Sequence, residues 1–349
     1  MDILMYYKVL CLFILALLLP LSPCDAARDN PWTHAFYFEN DLFNGTDSNY
    51  TNGVKYSLIS PDLALDAPEG KLPRRVLEFI HGLPFIAGSR PEYTHKAEFS
   101  LGQKMFTPRN TAETELIRDD RPYAGWTYLS TAYHRRSDPA EKISFMDTVE
   151  LQLGIVGPRS YAEETQRFVH RVRDLDIPRG WDHQLENELG LAIVFERKWL
   201  LHTAEENAFG YSCMAHAGAA LGNVFTYGNS GMELRLGWNV PKDFGVSLMR
   251  PAGSTRLEIG DGFSIYLFGA VNANAVGRDI FLDGNTFRDS HSIDKKFLVA
   301  DLAGGAGISF KRLIVTWTQV LRTKEFDGQK DAHSFGAIAL SFSFPLGAR

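Results

Sequence analysis

The sequence predicts an all-β fold, a transmembrane antiparallel β-barrel of about twelve strands with a short helix in one extracellular loop. Three observations predict it. Apolar residues alternate with polar or small ones through most of the chain, as in Val149, Leu151, Leu153 and Ile155 against Thr148, Glu150, Gln152 and Gly154. The interleaved positions hold Gly, Ala, Ser, Asn, Gln, Glu and Arg, which suits a polar lumen inside a lipid-facing wall better than the outer surface of a soluble sandwich. The mean hydropathy of −0.16 is too low for a bundle of membrane helices, so any spanning must be done by strands.

The N-terminus reads as an export signal. Lys8 precedes an apolar run over residues 9–19, followed by Pro20 and small residues ending at Ala26 and Ala27. Cleavage near Ala26 divides the chain into a signal over residues 1–26 and a barrel domain over residues 27–349. Cys11 and Cys24 leave with the signal and Cys213 remains alone, so an intrachain disulfide cannot stabilise the exported protein; a closed sheet in the outer membrane can.

The strands begin near Thr33, Thr51, Lys96, Ala124, Ile143, Asn187, Ala208, Ser230, Phe263, Lys296, Leu313 and Ser334. Each shows the period of two; the eighth carries Met232, Leu234, Leu236 and Trp238, and the last Ile338, Leu340, Phe342 and Phe344. Tyr37, Trp126, Tyr128, Trp199, Tyr211, Trp238 and Trp317 lie near strand ends, where an aromatic girdle belongs. An even count lets the last strand close onto the first. Alternating direction sends the connections 41–50, 107–123, 157–186, 223–229, 277–295 and 324–333 to one mouth, the extracellular one. The long connections 61–95 and 241–262 then fall on the periplasmic side, where turns are ordinarily short.

Between the fifth and sixth strands, Gln166 and His170 stand one helical turn apart, so that the amide can orient the imidazole as a general base. A surface histidine, or one satisfied by a nearby carbonyl, is the alternative. Around the first loop, Glu39, Asn40, Asp41, Asp47, Tyr50, Thr51 and Asn52 supply hard oxygen donors of the kind calcium takes; Asn, Asp and Gly also make turns without any ion. Together the two clusters suit ester hydrolysis, with His170 deprotonating water and a calcium ion polarising the carbonyl. In the DDRPYAG run, Arg121 either receives a substrate phosphate or forms an Arg/Asp pair that pins the rim. No G-x-S-x-G elbow is present, and Ser290, His291 and Ser292 read as loop punctuation. A net charge of −6 and a pI near 5.9 supply no basic surface for nucleic acid.

The blocks FENDLF with YTNG, GQKMFTP, DDRPYAGW, GIVGP followed by Gln166 and His170, GWDHQLENE, and LGNVFTYGNSGMELRLGWNVP resemble, in this order, the outer-membrane lipid A 3′-O-deacylase family of the LpxR type. The resemblance implies a twelve-stranded barrel that hydrolyses the 3′-linked acyloxyacyl ester of lipid A in a calcium-dependent reaction similar to that of secreted phospholipase A2. It implies that Asn40 and Asp41 form the active-site and calcium Asn-Asp pair, that Thr51 and Asp176 accompany Asp41 at the calcium, and that His170 is the base with Gln166 one turn before it. Asp176 stands where the family has glutamate. The family's basic pair for substrate phosphate has its place taken, at a different spacing, by Arg109 and Arg118. The partners so implied are lipopolysaccharide and outer-membrane lipid, met by a monomer. A pore or surface-binding barrel without enzymatic activity, or a phospholipid esterase, are the competing functions.

Overall fold

The computed structural model describes residues 32–41, 49–63, 93–137, 141, 143–245 and 262–344. Twelve antiparallel strands form a closed barrel in which each pairs with its neighbours in sequence and the last returns to the first. They are β1 (Trp32–Asn40), β2 (Asn49–Ile59), β3 (Thr94–Thr107), β4 (Ala124–Arg136), β5 (Ser144–Val156), β6 (Glu188–His202), β7 (Phe209–Gly222), β8 (Phe225–Trp238), β9 (Phe263–Asp279), β10 (Leu298–Phe310), β11 (Leu313–Arg322) and β12 (His333–Phe344). A helix α1 (Ala162–Arg173) lies between β5 and β6, and a single turn α2 (Ile280–Asp283) follows β9.

The exposure pattern is the inverse of a soluble protein's. Across four strands the register aligns Leu101, Leu129, Leu153 and Leu191, all exposed on the outer wall. One residue back, the same register aligns Ser100, Ser130, Gln152 and Ala192, all buried. Exposed leucine beside buried serine and glutamine is what a wall with lipid outside and polar packing inside requires. No helix among the described residues is long and apolar enough to cross a membrane; the strands do so.

Much of the lumen is occupied by side chains, around a cavity lined by Glu39, Tyr50, Lys104, Tyr227, Arg322 and Glu325. At the mouth reached by the ends of β1, β3 and β5, inward-facing Tyr50, Phe106, Trp126, Tyr128, Phe225 and Phe335 pack around Ile280 and Phe281 of α2. The Phe106 and Phe281 rings stack at 4.1 Å. Deeper, buried charges are paired: Lys55 with Glu98 at 3.1 Å, Glu98 with His134 at 3.0 Å, and Arg235 with Glu233 at 2.6 Å and Asp243 at 2.7 Å. At the opposite mouth Phe244 packs with Ile59, Met146, Leu200 and Met214. Side chains that would line an open pore thus take up much of the interior.

Strand positions agree with expectation within two residues except at β8, which begins at Phe225 instead of near Ser230. Its connection to β7 is only Asn223 and Val224; Phe225 packs into the lumen core, and Asn223 closes the turn by donating to the Leu189 carbonyl at 2.7 Å and to Glu188 at 2.8 Å. The signal segment, most of the connection 61–95 and much of 241–262 lie outside the described residues.

Candidate active site on the outer wall

After β5 the chain turns through Pro158–Ser160 and enters α1, which packs on the outer surface of β4 and β3. Gly125 makes the approach possible. A β-carbon there would lie 2.2 Å from both Ala162 Cβ and Ser160 Oγ. The turn is pinned to the wall by two outward side chains, Gln103 Nε2 and Thr127 Oγ1, each donating to the Ser160 carbonyl at 2.7 Å. Ala162, Gln166 and His170, four residues apart in sequence, form the buried face of the helix. Met105, Tyr123, Ala162 and Trp181 pack together beneath it.

Asp174 ends the helix in the left-handed conformation (φ 55°), and the Leu175 N–H returns to the His170 carbonyl at 2.9 Å. This reversal brings the Asp176 carbonyl to His170 Nδ1 at 2.5 Å. A carbonyl only accepts, so Nδ1 carries the proton and Nε2 is the basic nitrogen, the tautomer a general base needs. Gln166 is fixed from the other side: Trp181 Nε1 donates to its Oε1 at 2.7 Å, and Trp181 is itself packed on Tyr123 with ring centroids 5.0 Å apart.

The oxygen-rich cluster of the first loop also faces outward. Asn40 continues the outward series of Phe36 and Phe38 and is paired in register with Asn52. A β-bulge between Tyr50 and Asn52 changes the alternation, so that Tyr50 packs in the lumen while Thr51 shares a 2.7 Å hydrogen bond with Thr107, which follows the outward series of Leu101, Gln103 and Met105. Asn40, Asp41, Thr51 and Asn52 are all buried, although the wall below them is exposed. The structure thus puts the two clusters on the same side of the wall, at the same mouth, over adjoining strands.

The donor set suits a hard cation: one carboxylate, carboxamides and hydroxyls at a buried site. Among the described residues no three His, Cys, Asp or Glu side chains converge as a metal cluster, so an ion here would rely on neutral oxygens beside Asp41. The Asp176 carboxylate is exposed, and the contact it makes to the site is through its backbone carbonyl.

Arg121 is not where a substrate phosphate would meet it. Its side chain is buried in the interior, lies over the Phe106 and Phe326 rings at 5.2 and 5.8 Å, and meets Glu325 at 3.4 Å. Its partner is the distant Glu325 and not an aspartate, so neither expected role of Arg121 is the one found. Arg109 and Arg118 are exposed on the 108–123 connection, Arg109 with only a 3.8 Å approach to Asp331. His291 donates to the Asp120 carbonyl at 2.7 Å and Ser290 Oγ accepts from Asn285 N–H at 2.8 Å, so that cluster is loop structure. Trp181, Thr107 and Gly125 were given no role from sequence. Trp181 stands inside the GWDHQLENE block, and its spacing from Gln166 carries no helical or strand period that would have joined them.

Comparison with known proteins places these features. The sequence profile described as outer membrane protein LpxR matches residues 10–344. No curated protein matches the chain. Among solved structures it is similar to LpxR from Salmonella typhimurium, with a TM-score of 0.67 at 18% identity, covering 89% of this chain and all (100%) of that one. The β domain of the Bordetella autotransporter BrkA follows at a TM-score of 0.45 and 9% identity, covering 90% and 99%. The translocator domain of NalP from Neisseria meningitidis gives 0.38 at 9% identity, covering 97% and 96%.

Proposed function

Because the chain belongs to the LpxR family of outer membrane proteins, we propose that it is a lipid A deacylase that hydrolyses the 3′-linked acyloxyacyl ester in the outer membrane. One observation carries this reading: Gln166 and His170 are buried against the outside of the barrel, not inside it. A lipid in the outer leaflet reaches that surface without leaving the bilayer. Aromatic side chains crowding the lumen argue against a wide pore.

In the proposed reaction His170 Nε2 takes a proton from water as it attacks the ester carbonyl, while the Asp176 carbonyl holds Nδ1–H and stabilises the imidazolium that forms. The proton then passes to the departing hydroxyl of the sugar. Gln166, clamped by Trp181, keeps the covering face of α1 in register with the wall. Asn40, Asp41 and Thr51 would hold a calcium ion, which when bound supplies Lewis-acid stabilisation of the oxyanion. Arg109 and Arg118 are among the exposed cations at this mouth, and we assign them to the lipid A phosphates.

The test is mass spectrometry of lipid A and phospholipid from cells expressing the protein or its His170→Ala variant. Loss of one 3′ acyloxyacyl unit with the native chain alone is expected. Intact lipid A with new lysophospholipid would replace the substrate by phospholipid, and no change in either lipid would reject the esterase reading.

A further inference from the structure

Helix α1 has a second face, and we propose that this face docks into the outer leaflet, at the boundary between headgroups and acyl chains. At about 100° per helical residue, α1 divides into three sectors. Ala162, Gln166 and His170 form the sector against the wall. Glu163, Glu164, Arg167 and Arg171 form a charged sector, with Arg167 and Glu163 paired at 2.8 Å. The third sector holds Phe168 and Val172, exposed by 62% and 61%, and Tyr161, just before the helix, is exposed by 65%. Thr165 lies within it, and its hydroxyl is turned back to the Tyr161 carbonyl at 2.9 Å.

The level of the helix on the wall names the occupant. The turn leading into α1 is bonded to Gln103 and Thr127, and the register carries that row on to Ile155 and Leu189, both exposed. Roughly 7 Å below, two residues along each strand, runs the exposed leucine row of Leu101, Leu129, Leu153 and Leu191. The lipid-facing band therefore reaches the height at which α1 begins, and Phe168 and Val172 stand exposed further along the helix. A helix with one apolar and one charged flank at this height meets the criteria for an interfacial helix. Its occupant is lipid because the helix is seated, through the turn at Ser160, at the edge of a surface that faces lipid. The inference needs only the barrel and holds whether or not the chain hydrolyses lipid A.

The test is nitroxide labelling of the full chain in phosphatidylethanolamine/phosphatidylglycerol vesicles, on a Cys213→Ser background, with each variant first checked for the heat-modifiable shift of a folded barrel. Labels at Phe168→Cys and Val172→Cys, on the charged flank at Glu164→Cys and Arg171→Cys, and at controls Leu129→Cys and Arg118→Cys report collision with oxygen or with a water-soluble nickel chelate. Positions 168 and 172 are expected to favour oxygen several-fold, as 129 does, while 164 and 171 favour nickel, as 118 does. Nickel accessibility at 168 and 172 equal to that at 118 would overturn the proposal, as would a reversal of the two flanks. Because depth and not turnover is read, the outcome is separate from that of the lipid analysis.

Discussion

The indole N–H of Trp181 donates to Oε1 of Gln166 at 2.7 Å, which ties the 3-10 turn at Gly180–His183 to the helix face that carries His170. The bond is buried, and it engages the accepting end of the amide. Its role is to hold the covering helix at a fixed height over the wall.

Replacing Trp181 by Phe keeps an aromatic ring against Tyr123 and removes the donor. Deacylation is expected to fall roughly tenfold in kcat, about 1.4 kcal/mol, with KM within about twofold and the heat-modifiable shift retained. Steady-state kinetics on detergent-solubilised lipid A would measure this, and an unchanged kcat would show that the clamp has no part in positioning.

At His170 the informative variant is Asn. Its amide can still donate towards the Asp176 carbonyl, yet it cannot accept a proton from water. Acyl release should drop by about 10²–10⁴, with thermal stability of the barrel close to the native value. Retained release from His170→Asn would remove the imidazole from the mechanism.

Chelation with EDTA should abolish acyl release, and calcium should restore it where zinc does not, since the donors around Asp41 are oxygens. Asp41→Asn should show the same loss with no recovery at moderate calcium. Full activity in EDTA would dismiss the ion.

Arg121 and Glu325 should govern stability, not turnover. Burial alone would raise the Glu325 carboxyl, but Arg121 and Arg322 outweigh it and hold Glu325 below the usual carboxylate range. A folded-state value depressed in this way stabilises the barrel above the unfolded carboxylate pKa, and that stability is lost as pH falls through the folded value. Arg121→Met, leaving a buried carboxylate without one partner, should cost about 3–5 kcal/mol, read as a lower temperature of heat modification. Arg109→Ala and Arg118→Ala should instead raise KM and leave that temperature unchanged.

Reconstituted in a planar bilayer, the native chain should give no steady ion conductance. Aromatic packing narrows one mouth, and the Phe244 cluster lies at the other. A persistent open channel would contradict the packed interior.

Most of the barrel was legible because alternation is a local signal: each strand announces which residues face lipid, and only β8 was misplaced, where Phe225 and Tyr227 follow a turn of two residues. The Gln166 and His170 pair was legible for the same reason, through a helical period. Trp181 and Thr107 were not, because their contacts depend on a 3-10 turn and on a bulge, and neither leaves a period in the sequence. Arg121 was open to two readings until the fold brought Glu325, distant in the chain, to its side chain.

Every strand of the ring is hydrogen-bonded on both flanks, and β1 closes on β12 over its whole length. Helix α1 adds nothing to those ladders; it rides on them as a passenger, seated at Gly125. Gln166 and His170 are therefore carried by an element that the ladders do not use, while Asn40 and Thr51 belong to the ring itself. A lineage with this architecture can exchange residues of the passenger while the ring beneath, with the oxygen donors it carries, keeps the same thermodynamic foundation.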